Sequence, residues 1–174
     1  MELLTSLRRF LVPSSVVTAV YLFKHKCKVS PKAEVELNAL LKIGRGTVVS
    51  SFSKIKANGP MHIGEDVSIG TNCFISSDAG GVNIGAYCMI GSNTCIIGNN
   101  YQYDKLDVPI CLQEKTSQGI DIGDNVWIGS GSMILDGAAI GSGSIITPNS
   151  VVAGKIPENA IVQGNPAKII FTRR

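Results

Sequence analysis

Isoleucine or valine recurs at every sixth position over most of this chain. From Ile43 the row runs Ile43, Val49 and Ile55, then Ile63, Ile69 and Ile75, then Ile84, Ile90 and Ile96. After a gap it resumes with Ile122, Ile128, Ile134, Ile140, Ile146 and Val152. The step within each triplet is six, and between triplets it is eight, nine, twenty-six and then six. A fixed internal period is the mark of a repeat architecture. Every irregular step follows a third repeat, which places all insertions on one corner of a three-sided coil. Three hexapeptides therefore make one turn of a triangular prism, its coils stacked at the usual strand spacing of about 4.8 Å. Val29 and Val35 reach Ile43 by steps of six and eight, which predicts an extra, imperfect coil before the first clean one.

The polar positions keep the same phase. Glycine follows the aliphatic residue at 44, 64, 70, 85, 91, 123, 129 and 141. Two places further on stand Gly46, Asn58, Asp66, Asn72, Asp78, Asn93, Asn125, Gly131, Gly137, Gly143 and Asn149. These residue types tolerate the positive φ that a sharp corner between flat strands requires. The expected fold is all-β, a parallel β-helix of about five to six coils over residues 29–160. A non-repeat segment (1–28) precedes it, one long loop (about 97–121) protrudes from it, and a C-terminal tail (161–174) follows it. The inward ladder supplies a core and carries no chemistry, so function must come from what breaks the pattern.

Composition agrees with short strands and tight turns: 44% of the 174 residues are hydrophobic, only 6% are aromatic, and 19 are glycine. The net charge of +3 is spread without a long basic run, which gives no reason to expect nucleic acid. Cys27, Cys73, Cys88, Cys95 and Cys111 are odd in number and lack CxxC spacing, which favours a reducing, cytoplasmic setting. Cys73, Cys88 and Cys95 lie within the repeats as small hydrophobes. Arg8-Arg9 precedes an apolar run from Phe10 to Phe23. That run holds Pro13, lacks a small-residue cleavage site, and is too short to span a bilayer. It reads as an irregular or helical cap on the first coil, with peripheral membrane contact as the lesser alternative.

Several motifs point to a family. Asp121-Ile122-Gly123-Asp124-Asn125-Val126-Trp127-Ile128-Gly129, Ser150-Val151-Val152 and Gly164-Asn165-Pro166-Ala167-Lys168 together resemble the hexapeptide-repeat acetyltransferases. The loop from Tyr101 to Gln113, with Asp104, Asp107 and Val108-Pro109-Ile110, is similar to the branch that acetylates sugars of surface polysaccharides. The resemblance covers residues 60–174 best. It implies a left-handed helix, a hand that the repeat period alone does not give. It also implies a homotrimer with acetyl-CoA in the groove between prisms, a sugar acceptor, an active site made by two chains, and no metal.

Acetyl transfer from a thioester requires a base, donors for the developing oxyanion and a grip on CoA. The resemblance places backbone donors around Gly129, Ser130 and Gly131 and around Thr147 and Pro148. It puts cations for the CoA phosphates at Lys155, Lys168 and Arg173, and Trp127 beside the groove. The solvated-tail and packing roles of these residues are equally open. Acceptor-side candidates are Asn83, Tyr101, Asp104 and Gln113. Asp104 and Asp107 also read as ordinary solvated loop residues.

The base departs from the family pattern. The family's catalytic histidine matches Asn99 in Gly98-Asn99-Asn100-Tyr101, and the two histidines, His25 and His62, both fall outside the loop. Three readings compete: Asn99 replaces the base, another residue such as His62 does its work, or the protein binds without catalysis. His62 is expected to stack beneath Asn83 and Asp121, although a lone histidine at a turn is more often structural. Asn99 also shares the phase of the corner residues Asn72, Asn93 and Asn125. The leading function is an acetyl-CoA-dependent acetyltransferase acting on a sugar hydroxyl or amine. The alternative is an inactive CoA-binding or scaffold β-helix. Two histidines are too few for a three-histidine metal hydratase built from one chain type, and there is no room for a nucleotidyltransferase domain.

Overall fold

The computed structural model describes residues 12–174; Arg8, Arg9 and Phe10 lie outside the described residues. The repeat row folds as expected, into a three-faced parallel solenoid. Face A carries Lys28–Val29, Val48–Val49, Ser68–Ile69, Met89–Ile90, Trp127–Ile128, Ile145–Ile146 and Ala160–Gln163. Face B carries Glu34–Val35, Lys54–Ala57, Phe74–Ser77, Cys95–Ile97, Met133–Leu135 and Val151–Val152. Face C carries Leu41–Ile43, Met61–Ile63, Val82–Ile84, Ile120–Ile122, Ala139–Ile140 and Lys155–Ile156. The insertions all lie between faces B and C.

Each aliphatic residue pairs in register with its counterpart one coil away. On face C, Ile43 meets Ile63, then Ile84, Ile122, Ile140 and Ile156. From Ile55 to Val152 the row is at most 3% exposed, so the prism interior is a dry aliphatic stack. Such burial is the main favourable contribution to folding.

The repeat extends beyond the span read from the row. Among the described residues there are six complete coils and the first strand of a seventh. The segment expected as a tail from 161 instead places Val162 over Ile146, then turns back as the antiparallel strand Lys168–Thr172. The periodic signal stops early because face B reaches face C in only four residues, from Val152 to Ile156. The corners also differ in part. Asp66, Asn72, Asn93, Asn125 and Asn149 have positive φ, as do Phe52 and Tyr87 in the same phase, whereas Asn58 and Asp78 do not. The wider corner between faces B and C turns instead at Gly81, Gly119 and Gly137. Asn72 donates to Asn93 at 2.9 Å, extending the corner into a side-chain ladder.

Helix α1 (Ser14–Lys24) covers the open first coil. Tyr21 is 3% exposed and donates its hydroxyl to the Glu36 carbonyl at 2.7 Å. Cys27 is buried beneath it, its thiol 3.0 Å from the Gly44 carbonyl. Cys73 and Cys88 are also buried, with thiols 3.2 Å from the carbonyls of Gly91 and Gly123, and burial pushes all three thiols up in pKa. Cys95 lies within its repeat strand but faces outward and is half-buried, while Cys111 is exposed on the loop. Among the described residues no helix is long and apolar enough to cross a membrane.

Candidate functional site

The long insertion leaves face B after Ile97 and re-enters face C at Ile120. Its feet are clamped. Ser117 donates to the Gly98 carbonyl at 2.7 Å and accepts from Gly80 N–H at 2.9 Å. Asp136 accepts from the N–H groups of Gln118 and Gly119, each at 2.9 Å. Above the clamp, Asn100–Tyr101 and Lys115–Thr116 form an antiparallel hairpin, with the Lys115 ammonium 5.1 Å from the Tyr101 ring centre. Tyr103, Leu106, Ile110 and Leu112 point into solvent, as do Asp104 and Asp107.

Gln113 has a different role from the acceptor contact expected of it. It is buried, its amide donates to the carbonyls of Lys105 (2.8 Å) and Val108 (2.9 Å), and its oxygen faces Lys105 N–H at 3.3 Å. Its polar atoms are spent on holding the loop. Asn99 is half-buried at the loop's foot and donates to the Asp78 carboxylate at 2.9 Å. Asp78 looked like a corner residue in the sequence. Its position one coil below Asn99 was the only available signal of this contact.

On face C the outward side chains form a polar ladder, as expected for His62. Lys42, His62, Asn83 and Asp121 stack in register, and the run ends at Ala139. His62 Nδ1 lies 3.2 Å from Asn83 Oδ1, and Asn83 Nδ2 donates to Asp121 Oδ1 at 2.7 Å. A shallow trough of about 730 Å³ runs along this ladder and meets the root of the loop at Gln118.

The CoA candidates divide. Gly129, Ser130, Gly131, Thr147 and Pro148 line the edge between faces A and B, and Trp127 stands 46% exposed on face A beside it. Lys168 comes to the same edge by pairing with Gln163. Lys155 lies on face C instead. Arg173 is held at the edge between faces C and A, where it donates to the Gly143 carbonyl at 2.5 Å. The backbone donors need correction. Gly129, Gly131 and Thr147 N–H groups bond to the carbonyls of Ile146, Ser92 and Val162, because a solenoid uses such groups between coils, and Pro148 has no N–H. Ser130 N–H is the member of this set that no carbonyl among the described residues takes.

Residues 119–154 match the sequence profile of the bacterial transferase hexapeptide (six repeats). Those residues carry the six-residue repeat of that transferase family. It is 30% identical over 129 residues to WbbJ of Escherichia coli (strain K12), named for lipopolysaccharide-biosynthesis O-acetyl transfer, with 73% of this chain and 61% of WbbJ covered. Among solved structures it is similar to the N-acyltransferase AntD of Bacillus cereus in complex with dTDP and 3-hydroxybutyryl-CoA. There the TM-score is 0.77 at 19% identity, covering 86% of this chain and 81% of AntD, a likeness of fold. The hexapeptide-repeat acetyltransferase VCA0836 of Vibrio cholerae, complexed with acetyl coenzyme A, gives a TM-score of 0.60 at 25% identity, with 86% and 69% covered. This hexapeptide-repeat chain spans about three fifths of the length of WbbJ.

Proposed function

We propose that this hexapeptide-repeat protein is an acetyl-CoA-dependent acetyltransferase acting on a hydroxyl or amino group of a sugar. The observation that carries the reading is the division of the polar features among the edges of the prism. Trp127, Ser130 and Lys168 gather at the edge between faces A and B, while the clamped loop and the polar trough lie at the opposite corner and on face C. That edge suits a CoA arm, with an open N–H, a flat aromatic ring and a cation. The trough suits a hydroxyl-rich acceptor. WbbJ, AntD and VCA0836 support the class, since each is named for acyl or acetyl transfer.

The two regions sit on different edges of one prism, so an assembly must join them. Met89, Trp127, Ile145 and Ile161 make an apolar ladder on the outside of face A. Phe74, Cys95, Met133 and Val151 make another on face B. Both fit packing against neighbouring copies in a homotrimer, in which the edge of one copy faces the trough of the next. Five unpaired thiols fit a reducing cytoplasm.

A second reading, a CoA-binding scaffold without turnover, is favoured by Asn99. Its amide donates to Asp78, and an amide accepts no proton at neutral pH. The test incubates the native chain and Asn99→His with acetyl-CoA and a panel of sugars and amino sugars, following thiol release. The native chain is expected to bind CoA and release thiol only with an acceptor. Failure of both forms to bind CoA overturns the acetyltransferase reading, and CoA binding by both without thiol release from either establishes the scaffold.

A further inference from the structure

Resting on that acetyltransferase reading, we propose that His62 is the general base, held in its working tautomer by Asn83 and Asp121. The reasoning runs down the ladder from its acidic end. A carboxylate only accepts hydrogen bonds, so Asp121 Oδ1, at 2.7 Å, fixes the amide nitrogen of Asn83 on its own side. The Asn83 oxygen is thereby turned towards His62, at 3.2 Å from Nδ1. An oxygen there requires a donor, which puts the ring proton on Nδ1 and leaves the lone pair on Nε2. The ring is exposed and lines the trough at the root of the loop. The charged groups of the ladder on either side are Lys42, in register next to His62, and Asp121 beyond Asn83. Asn99 at the loop's foot is thus relieved of a task its amide cannot perform.

The step balances with this one ring. Nε2 takes the proton of the acceptor hydroxyl or amine, and the acceptor oxygen or nitrogen bonds to the acetyl carbonyl carbon. The carbon–sulfur bond of the thioester breaks, and Nε2–H returns its proton to the departing sulfur. The acceptor ends acetylated, CoA ends as the free thiol, and His62 ends neutral. Asn83 and Asp121 touch no reacting atom and are positioning residues.

The experiment compares the native chain with His62→Gln and Asn83→Ala. His62→Gln should lower kcat by about 100-fold or more while binding CoA as the native chain does in calorimetry. Added imidazole should restore part of the rate. Asn83→Ala should lower kcat without raising the KM for acetyl-CoA. Long-range ¹H–¹⁵N correlation spectra, with His62 assigned by comparison with His25→Gln, should show Nδ1 protonated in the native chain and a shift towards protonated Nε2 in Asn83→Ala. A His62→Gln chain that keeps its kcat, or a native His62 protonated on Nε2, overturns the proposal and leaves the acetyltransferase reading standing. A native chain that binds no CoA overturns both.

Discussion

At the scale of single residues, the stack of coils constrains glycine as tightly as isoleucine. A Cβ added at Gly64 would lie 2.6 Å from Ala86 N and 2.7 Å from Gly85 C, both backbone atoms of the next coil. Side-chain repacking cannot relieve such a contact; the coils themselves must separate. At Gly154 a Cβ would meet nothing within 4 Å. Gly64→Ala should therefore cost about 1–3 kcal/mol in urea unfolding. Gly154→Ala should be neutral or more stable by up to about 1 kcal/mol, because it narrows the unfolded ensemble. Equal midpoints for the two variants would contradict the close approach. The same scale explains why His62 was visible from the sequence and its tautomer was not. Register alone set His62 beside Asn83 and Asp121, but which atom of each amide and carboxylate faces which required side-chain geometry. Gln113 shows the converse: its spacing within a family-like loop suggested acceptor contact, and only the fold revealed three polar contacts to the loop's own backbone.

At the scale of elements, helix α1 seals an end of the prism that would otherwise expose the first aliphatic layer. Tyr21 anchors it, and burial first, then the neighbouring Cys27 and Glu36, raises its hydroxyl well above the ordinary value of 10.0. The sign follows from linkage. Below pH 10 the contribution is complete; above it the unfolded chain releases the proton that the folded chain retains, so stability falls until the folded group titrates. Urea midpoints between pH 8 and 11 should fall more steeply for the native chain than for Tyr21→Phe. At pH 8 the variant should be weaker by about 0.5–1.5 kcal/mol for the lost bond to Glu36. Parallel slopes would place the alkaline weakness elsewhere. The core strands and the loop corner were legible because a six-residue period survives insertion on one corner. The seventh strand and the C-terminal return were not, since the step from Val152 to Ile156 breaks the period and the antiparallel strand Lys168–Thr172 follows no repeat.

At the scale of the whole molecule, a triangular prism separates its own edges. The proposed donor-side residues Trp127, Ser130 and Lys168 and the trough residues His62 and Asn83 belong to different faces of one rigid solenoid, and no loop of the described chain carries one group to the other. Stacked parallel strands with a solid aliphatic core bend little, so the proposed reaction requires proximity from a second copy, for which the apolar ladders of faces A and B are the proposed docking surfaces. This arrangement has a consequence that activity alone can read. Ser130→Trp fills the edge and leaves the trough intact; His62→Gln disables the trough and leaves the edge intact. Each variant alone should be inactive. Co-expressed in equal amounts and purified through two different tags, mixed trimers should regain about a third of native activity, since in a ring of either mixed composition one interface of the three joins an intact edge to an intact trough. Mixed assemblies that stay as inactive as their parents would place both halves of the site on one chain. Restoration near the expected third would show that the repeat builds half a site on each edge and that the assembly completes it.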